Sequence, residues 1–326
     1  MEEPIHFENR LDTAAVKEKL DLIRHQIHKV IIGQDQIIDL ILIALLSNGH
    51  ILIEGVPGVA KTLLAKTLSK TINTGFSRIQ FTPDLMPSDV LGTSIFEAHK
   101  SEFTFKPGPI FSNFILIDEI NRAPAKTQAA LFEVMEEKQI TIDGNTYKME
   151  QPFIVVATQN PIEQEGTYRL PEAQLDRFIF KISIDYPTKN DEVALLLLEN
   201  EQKNTDKLDP IFSVVNATDI VTFQQMTRNV IIEKHLIEYI ANIVSETRQN
   251  PLIYLGGSPR ASIAILNGSK AHAILKGRDF VVPEDIKQVI VPVLNHRIIL
   301  SPEKEMEGLS VETVISQIIN KIESPK

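Results

Sequence analysis

The sequence contains no cysteine, so disulfide bonds, thiolate metal sites and cysteine nucleophiles are excluded. It also lacks a long hydrophobic run: the longest apolar stretch, residues 37–46, is too short to cross a bilayer and includes Asp39. The first ten residues are acidic and lack the basic and apolar regions of a secretory signal. We therefore expect a cytoplasmic protein without membrane insertion.

An excess of basic residues is missing as well. The 326-residue chain has 33 lysines and arginines against 43 aspartates and glutamates, which gives a formal net charge of -10. Binding along a nucleic-acid backbone needs clustered positive charge. The balance therefore disfavours nucleic acid as a partner, although it leaves room for a local basic patch.

What is present is an alternation of apolar runs with helical segments. Helical patterns at residues 61–72 and 125–137 lie between runs that are typical of strands covered on both faces, at residues 51–54, 114–118, 153–158 and 178–184. This order predicts an α/β fold with a mainly parallel sheet between two helical layers.

Two segments interrupt the alternation and predict hairpins that project from the core. Residues 96–105 form two short strand-like pieces around a polar turn, and residues 139–149 place Asp-Gly between alternating residues. Beyond about residue 188 the strand-like runs stop. We expect two domains, an α/β core of residues 1–188 and an all-α domain of residues 189–326.

A glycine-containing segment, GVPGVAKT at residues 55–62, follows the first buried run. It matches the phosphate-binding pattern G-x-x-x-x-G-K-[ST] except at Ala60, which should already be entering the next helix, where alanine is tolerated. Backbone N–H groups would then surround phosphate, Lys61 would reach the β and γ phosphates, and Thr62 would coordinate Mg²⁺. The alternative is a strand-to-helix turn with an accidental Lys-Thr pair.

Polar residues end two further buried runs. Asp118 and Glu119 follow FILI, and Asn160 follows VVATQ. Parallel sheets collect ligands at the carboxyl ends of their strands, so Asp118 is placed to hold Mg²⁺ through water and Glu119 to activate the attacking water. Asn160 could hydrogen-bond the γ-phosphate or that water. The alternatives are two solvated loop acids and an ordinary Asn-Pro turn.

The segment GGSPRAS, residues 256–262, predicts a helix start. Ser258 suits the N-cap position and Pro259 the first helical position. Arg260 would then lie in the first turn, where a cation opposes the helix dipole. This favours a phosphate-facing role for Arg260 over a surface salt bridge.

Taken in order, GVPGVAKT, DEINRAP, ATQNP, LPEAQLDRF and GGSPRA resemble the MoxR family of AAA+ ATPases, and the likeness extends from IIGQ at residue 31 to VLNHRI ending at residue 298. The resemblance implies a five-stranded parallel sheet with a small helical lid, binding of ATP or ADP with Mg²⁺, and a chaperone-like remodeller. It also implies a ring, expected to be hexameric, and partners with von Willebrand factor A domains. The family's loop typically carries alanine where Ala60 stands. Asn295 departs from the basic residue that is common before His-Arg, which leaves the roles of His296 and Arg297 open.

The resemblance also assigns site residues. It makes Arg260 the sensor 2 residue and Arg177 an arginine finger that reaches the nucleotide of a neighbouring subunit; Arg169 is a weaker candidate for that interface. A surface salt bridge is the alternative for Arg177. The resemblance and the phosphate-binding motif together place nucleotide contacts on two segments. These are Ile31, Ile32, Gly33 and Gln34 at the adenine, and Gly55, Val56, Pro57, Gly58, Val59, Ala60, Lys61, Thr62 and Leu63 at the phosphates.

Two other classes of protein remain compatible with the sequence. Related ATPases with hairpin insertions include DNA-acting motors. The excess of acidic residues in this chain disfavours a DNA-acting motor. A nucleotide switch that never hydrolyses would not need Glu119 and Asn160.

Overall fold

The computed structural model describes residues 11–55, 61–99, 101–160, 168, 170–201 and 206–325, with the backbone alone at residue 201. Its centre is a five-stranded sheet in the order β2-β5-β8-β1-β9, and all four strand pairs are parallel. Three two-stranded pairs, β3-β4, β6-β7 and β10-β11, lie outside this sheet. The strands are β1 (His50–Gly55), β2 (Phe76–Gln80), β3 (Gly92–Glu97), β4 (Glu102–Pro107), β5 (Phe114–Asp118), β6 (Gln139–Ile142), β7 (Asn145–Lys148), β8 (Ile154–Gln159), β9 (Phe178–Ile184), β10 (Ile253–Leu255) and β11 (Ile299–Leu300).

Helices cover both faces of the sheet and make up most of the described chain after β9. A short 3-10 helix, Ile120–Arg122, follows β5. The α-helices of the described residues are α1 (Thr13–His28), α2 (Asp35–Leu46), α3 (Lys61–Ile72), α4 (Pro87–Leu91), α5 (Ala125–Glu137), α6 (Glu172–Leu175), α7 (Lys189–Glu201), α8 (Ala217–Arg228), α9 (Lys234–Gln249), α10 (Pro259–Leu275), α11 (Pro283–Leu294), α12 (Pro302–Met306) and α13 (Val311–Lys321).

The strands of the sheet are apolar on both faces because each face contacts its own hydrophobic cluster. Ile51 and Ile53 of β1 point to a cluster that also contains α1, α2, α3 and the helices of the C-terminal part. Leu52 points to a second cluster with α5 and the hairpins. This alternation explains why β1 has no polar residue at its centre, as the predicted two-sided burial requires.

The predicted α/β fold with a helical lid is confirmed. Helices α3 and α5 have the predicted bounds, and both hairpins are present. The first is longer than predicted and pairs residues 92–97 with residues 102–107. In the second hairpin Asp143 and Gly144 both have positive φ, 51° and 79°, which is the backbone of a tight two-residue turn. The sequence pattern missed β10 and β11, since strands of three and two residues leave no periodicity to detect.

The parallel order determines where the candidate site lies. Strand β8 is hydrogen-bonded to β5 on one side and to β1 on the other. The segments that follow β5, β8 and β1 therefore leave the same edge of the sheet, and helix α3 begins there at Lys61. No helix in the described ranges is long and apolar enough to cross a membrane.

Candidate nucleotide site

The first wall of the site is the start of α3. Nζ of Lys61 donates to the carbonyl oxygen of Gly55 at 2.6 Å, so the side chain folds back over the end of β1. Burial lowers the pKa of Lys61, and the nearby carboxylates of Asp118, Glu54 and Glu119 partly offset this effect. Thr62 and Leu63 lie half-buried in the same first turn. The predicted contacts at residues 56–60, which include Ala60, lie outside the described residues, as does Arg169.

Glycine at position 55 has a packing reason of its own. A Cβ atom built on Gly55 would lie 2.5 Å from the backbone oxygen of Ile184 in β9. The close approach of β9 therefore excludes any side chain at the end of β1. The prediction attributed this glycine to phosphate binding, and the structure adds a reason that concerns the sheet itself.

The second wall is the carboxylate pair after β5. Asp118 is 9% exposed and accepts two hydrogen bonds, from Nε of Arg78 at 2.6 Å and from Oγ1 of Thr158 at 3.2 Å. One buried carboxylate beside the Thr62 helix turn suits Mg²⁺, which keeps several of its waters and is held by few protein ligands together with phosphate oxygens. The donor set therefore fits the magnesium that the motif implies.

Glu119 has an unusual backbone conformation. Its φ and ψ of 58° and 51° are left-handed, which is costly for a residue with a Cβ atom and is often found at functional positions. Its N–H donates to Oγ1 of Thr158 at 3.1 Å, while Oε2 accepts from Nε2 of Gln80 at 2.7 Å and lies 3.1 Å from Nε of Arg122. These contacts hold the carboxylate toward β2 and next to Asp118.

Asn160 follows β8 directly and is half-buried. Because β8 lies between β1 and β5, Asn160 leaves the sheet between the Lys61 turn and the carboxylate pair. The structure thus brings Lys61, Thr62, Asp118, Glu119 and Asn160 to one edge of the sheet.

The segment assigned to the adenine lies next to α7. Gly33 and Gln34 both have positive φ, 66° and 60°, and a Cβ atom on Gly33 would lie 3.1 Å from the Asp191 carboxyl carbon. Ile31 belongs to the hydrophobic core, and Ile32 is half-buried. Oε1 of Gln34 is buried without a hydrogen-bond partner among the described residues, so this wall retains one unused acceptor.

Arg177 and Arg260 lie far from this edge. Arg177 precedes β9, whose seven residues run parallel to β1, so roughly 20 Å of strand separates Arg177 from the phosphate-binding edge. Glu136, near the end of α5, contacts both arginines: Oε2 lies 3.0 Å from Nε of Arg177, and Oε1 accepts from Nη2 of Arg260 at 2.7 Å. The Arg177 N–H is not aimed at that oxygen, so this contact is ionic rather than a hydrogen bond.

Asp176 directly precedes Arg177 along the chain, but its carboxylate is bound by other residues. Asp176 instead accepts from Nε of Arg297 at 2.6 Å and from Ser258 at 2.9 Å. Ser258 is the N-cap of α10 and accepts from the Arg260 N–H, which confirms the predicted helix start. The partner that the sequence missed, Glu136, is 41 positions away along the chain, and no local pattern could have indicated it.

His296 and Arg297 have a structural role that the departure at Asn295 had left open. Arg297 is 7% exposed, and its guanidinium donates to Asp176 and to four backbone carbonyl groups around β9 and α11. Nε2 of His296 contacts the Phe178 carbonyl at 3.0 Å, and burial lowers the pKa of His296 well below its usual value. His296 and Arg297 therefore connect the end of α11 to the start of β9 by hydrogen bonds.

A parallel sheet with a Lys-Thr helix start, a carboxylate pair and an asparagine on one edge, followed by a helical lid, is the architecture of a P-loop ATPase. The profile described as "ATPase family associated with various cellular activities (AAA)" matches residues 50–180, and the AAA lid domain profile matches residues 245–318.

Individual relatives extend the match over nearly the whole chain. The protein YeaC of Bacillus subtilis is 46% identical over 92% of both chains. Chaperone MoxR1 of Mycobacterium tuberculosis is 40% identical, over 96% of this chain and 84% of that one. The crystal structure of a proposed ATPase from Cytophaga hutchinsonii superposes with a TM-score of 0.89 at 44% identity, over 97% of both chains. The chain belongs to the MoxR family of AAA+ ATPases.

Proposed function

We propose that the protein is a Mg²⁺-dependent ATPase that hydrolyses ATP to ADP and phosphate and uses the energy to remodel partner proteins. The observation that carries this proposal is the division of the site: the phosphate-binding turn and the carboxylate pair share one edge of the sheet, whereas two arginines lie together at the opposite end. Such a division suits a ring in which each nucleotide contacts two chains.

On the nucleotide side, each residue has a separate task. Lys61 leaves the Gly55 carbonyl and donates to the β and γ phosphates. Thr62 and Asp118 would hold Mg²⁺, which when bound neutralises charge on those phosphates. Glu119 orients and polarises the attacking water, while Asn160 donates to the γ-phosphate or the same water. Ile31 to Gln34 would line the adenine.

Arg177 and Arg260 would contact the nucleotide that is bound to the neighbouring chain. Arg177 and Arg260 lie too far from their own Lys61 to contact the same phosphate, and in the single chain both share Glu136. In a ring their guanidinium groups would exchange this carboxylate for the γ-phosphate of the neighbour, where a planar cation stabilises transition-state charge. Arg260 would then act between chains, as Arg177 does.

The finer assignments follow from the family. We propose a ring of about six copies, a protein client, von Willebrand factor A-domain partners and a cytoplasmic location. The chain would divide at residue 188 into a nucleotide-binding core and a lid whose rotation transmits hydrolysis. A DNA-acting motor is less well supported because of the net charge of -10. A non-hydrolysing switch is less well supported because Glu119 is held beside Asp118.

The Glu119→Gln variant tests hydrolysis. We expect it to bind ATP as tightly as the wild type but to release phosphate at least about a hundredfold more slowly, because only the activation of water is removed. Glu238→Gln, which changes an exposed carboxylate on α9, is the matched control and should turn over normally. Wild-type phosphate release no faster than that of Glu119→Gln, at saturating ATP and high protein concentration, would favour the switch.

A further inference from the structure

A second polar pocket lies where the core meets the lid. This cavity of about 240 Å³, which we name the seam pocket, is formed by the turn after α2, the residue that follows α5, the end of α8 and the middle of α10. Its lining includes Ser47, Asn48, Lys138, Arg228, Asn267 and Lys270. None of these residues takes part in the nucleotide site described above.

The walls of the seam pocket are held in place by direct contacts between core and lid. Oγ of Ser47 donates to the Asn267 carbonyl at 3.3 Å, and Nε2 of Gln224 donates to the Leu45 carbonyl at 2.7 Å. Nζ of Lys270 donates to the carbonyl of Arg228, the last residue of α8, at 2.9 Å. The pocket is therefore a preformed feature of the folded chain, and any ligand in it would touch both parts of the protein.

All charged residues that line the seam pocket are basic. Lys138, Arg228 and Lys270 line it, in a chain whose net charge is -10. Lys270 has an ordinary structural role as a cap of α8, but Lys138 and Arg228 have no ion pair or hydrogen bond from their side chains within the described ranges. Burial and then the charge of Arg228 lower the pKa of Lys138, and no carboxylate offsets them. Cations gathered in a concave site repel one another unless an anion joins them.

A neutral side chain adds to this imbalance. Oδ1 of Asn48 is buried without a partner among the described residues. Rotation of the amide by half a turn would place its NH₂ group there instead, and that group would need an acceptor. An anion accepts from lysine, arginine and amide donors alike.

We propose that the seam pocket binds a small phosphate-bearing anion that links the core to the lid. The pocket is smaller than the roughly 300–1,000 Å³ typical of sites for drug-sized ligands, so one or two phosphate groups match its size better than a nucleotide does. Lys138 and Arg228 approach the anion from the core and from the lid, respectively. Its binding holds the lid in the docked position seen here.

Calorimetric titration with inorganic phosphate, and separately with pyrophosphate, tests the proposal. Lys61→Ala serves as the background because it weakens phosphate binding at the nucleotide loop. We expect saturable binding of one anion per chain and a higher melting temperature with the anion than without it. Adding Lys138→Gln or Arg228→Gln should weaken binding by about tenfold each, as expected for the loss of one charged donor. Lys138→Arg should retain binding.

Lys234→Gln is the matched control, since Lys234 is an exposed lysine of the lid outside the pocket. Circular dichroism of each variant verifies folding, and Arg228 is exposed enough for its replacement to leave the core intact. If neither anion binds the Lys61→Ala protein, or if both Gln variants bind as tightly as the control, the proposal is wrong. Tighter binding of pyrophosphate than of phosphate would show that the site takes a diphosphate.

Discussion

Asp118 is bound on both oxygens by side chains from the two strands that flank β5. Arg78 of β2 contacts Oδ2, and Thr158 of β8 contacts Oδ1. The guanidinium of Arg78 thus already neutralises the carboxylate that would hold a metal ion, and a bound metal would place a second positive charge close to it. Two cations that share one carboxylate oppose each other.

Replacing Arg78 with glutamine should therefore make the site easier to load with metal. We expect Arg78→Gln to lower the Mg²⁺ concentration for half-maximal ATPase activity by about threefold to tenfold, an effect of roughly 1 kcal/mol for a pair in which the arginine is half-exposed and the carboxylate is buried. Electron paramagnetic resonance of Mn²⁺ binding in the presence of ADP provides a readout that is independent of turnover. An unchanged metal requirement in Arg78→Gln, equal to that of the distant charge control Lys321→Gln, would show that Arg78 does not compete.

The motifs identified the residues of the site better than they identified the neighbours of those residues. Lys61, Thr62, Asp118 and Glu119 were predictable because their order along the chain reflects strand ends in a parallel sheet. Arg78 and Gln80 were not, since contact with the carboxylates depends on β2 pairing with β5, about forty positions away. Their two-residue spacing on a strand was a weak signal that both face the same way.

At the level of elements, the start of β9 connects the core to the lid. Arg297 at the end of α11 reaches Asp176 and the carbonyl groups of Phe178 and Ile179, next to the arginines that we propose to act between chains. The sequence predicted β9 and α10 but not this connection, because a buried arginine looks like a surface one until its partners are known.

Arg297→Ala should destabilise the protein by about 3–5 kcal/mol, because it leaves Asp176 without its buried cation and several carbonyl groups without donors. Arg297→Lys should recover only part of this loss, since an ammonium group cannot reproduce the fork of donors. Urea denaturation measures both variants. Lys304→Ala breaks an exposed pair with Glu307 and should change stability by less than about 1 kcal/mol. A loss in Arg297→Ala as small as in this control would contradict the connection.

At the scale of the whole molecule, two buried histidines should make stability depend on pH. Burial lowers the pKa of His50 to about 4 and that of His296 well below its ordinary value. His50 is neutral because Val155 N–H donates to Nδ1 at 3.0 Å while Nε2 contacts the Met135 carbonyl at 3.1 Å. The folded chain therefore resists protonation that the unfolded chain accepts.

Because the folded chain binds these protons less readily than the unfolded chain, acid should lower the free energy of unfolding. Above the unfolded pKa of about 6.5 neither state is protonated, and the free energy of unfolding is at its full value. As pH falls from about 6.5 toward 4, only the unfolded chain gains protons, so stability falls, by about 3 kcal/mol for His50 alone. Urea denaturation between pH 7.5 and about 4.5 should show a shallower loss in the double variant His50→Gln/His296→Gln than in the wild type. Parallel curves for the two proteins would contradict this assignment.

The central claim is that each active site contains residues of two chains, and mixing two inactive variants tests it most directly. Lys61→Ala lacks the phosphate-binding lysine and Arg177→Ala lacks the arginine, so each alone should be inactive. In a random equal mixture, about a quarter of the interfaces would join an intact Lys61 to an intact Arg177. A mixture of Lys61→Ala with Glu119→Gln is the matched control, since both lesions lie on the same side of the interface. We predict that phosphate release returns in the mixture of Lys61→Ala with Arg177→Ala and rises with protein concentration, whereas it stays absent in the control mixture. Normal turnover by Arg177→Ala alone, or no recovery in the mixture of Lys61→Ala with Arg177→Ala at any ratio, would contradict the claim.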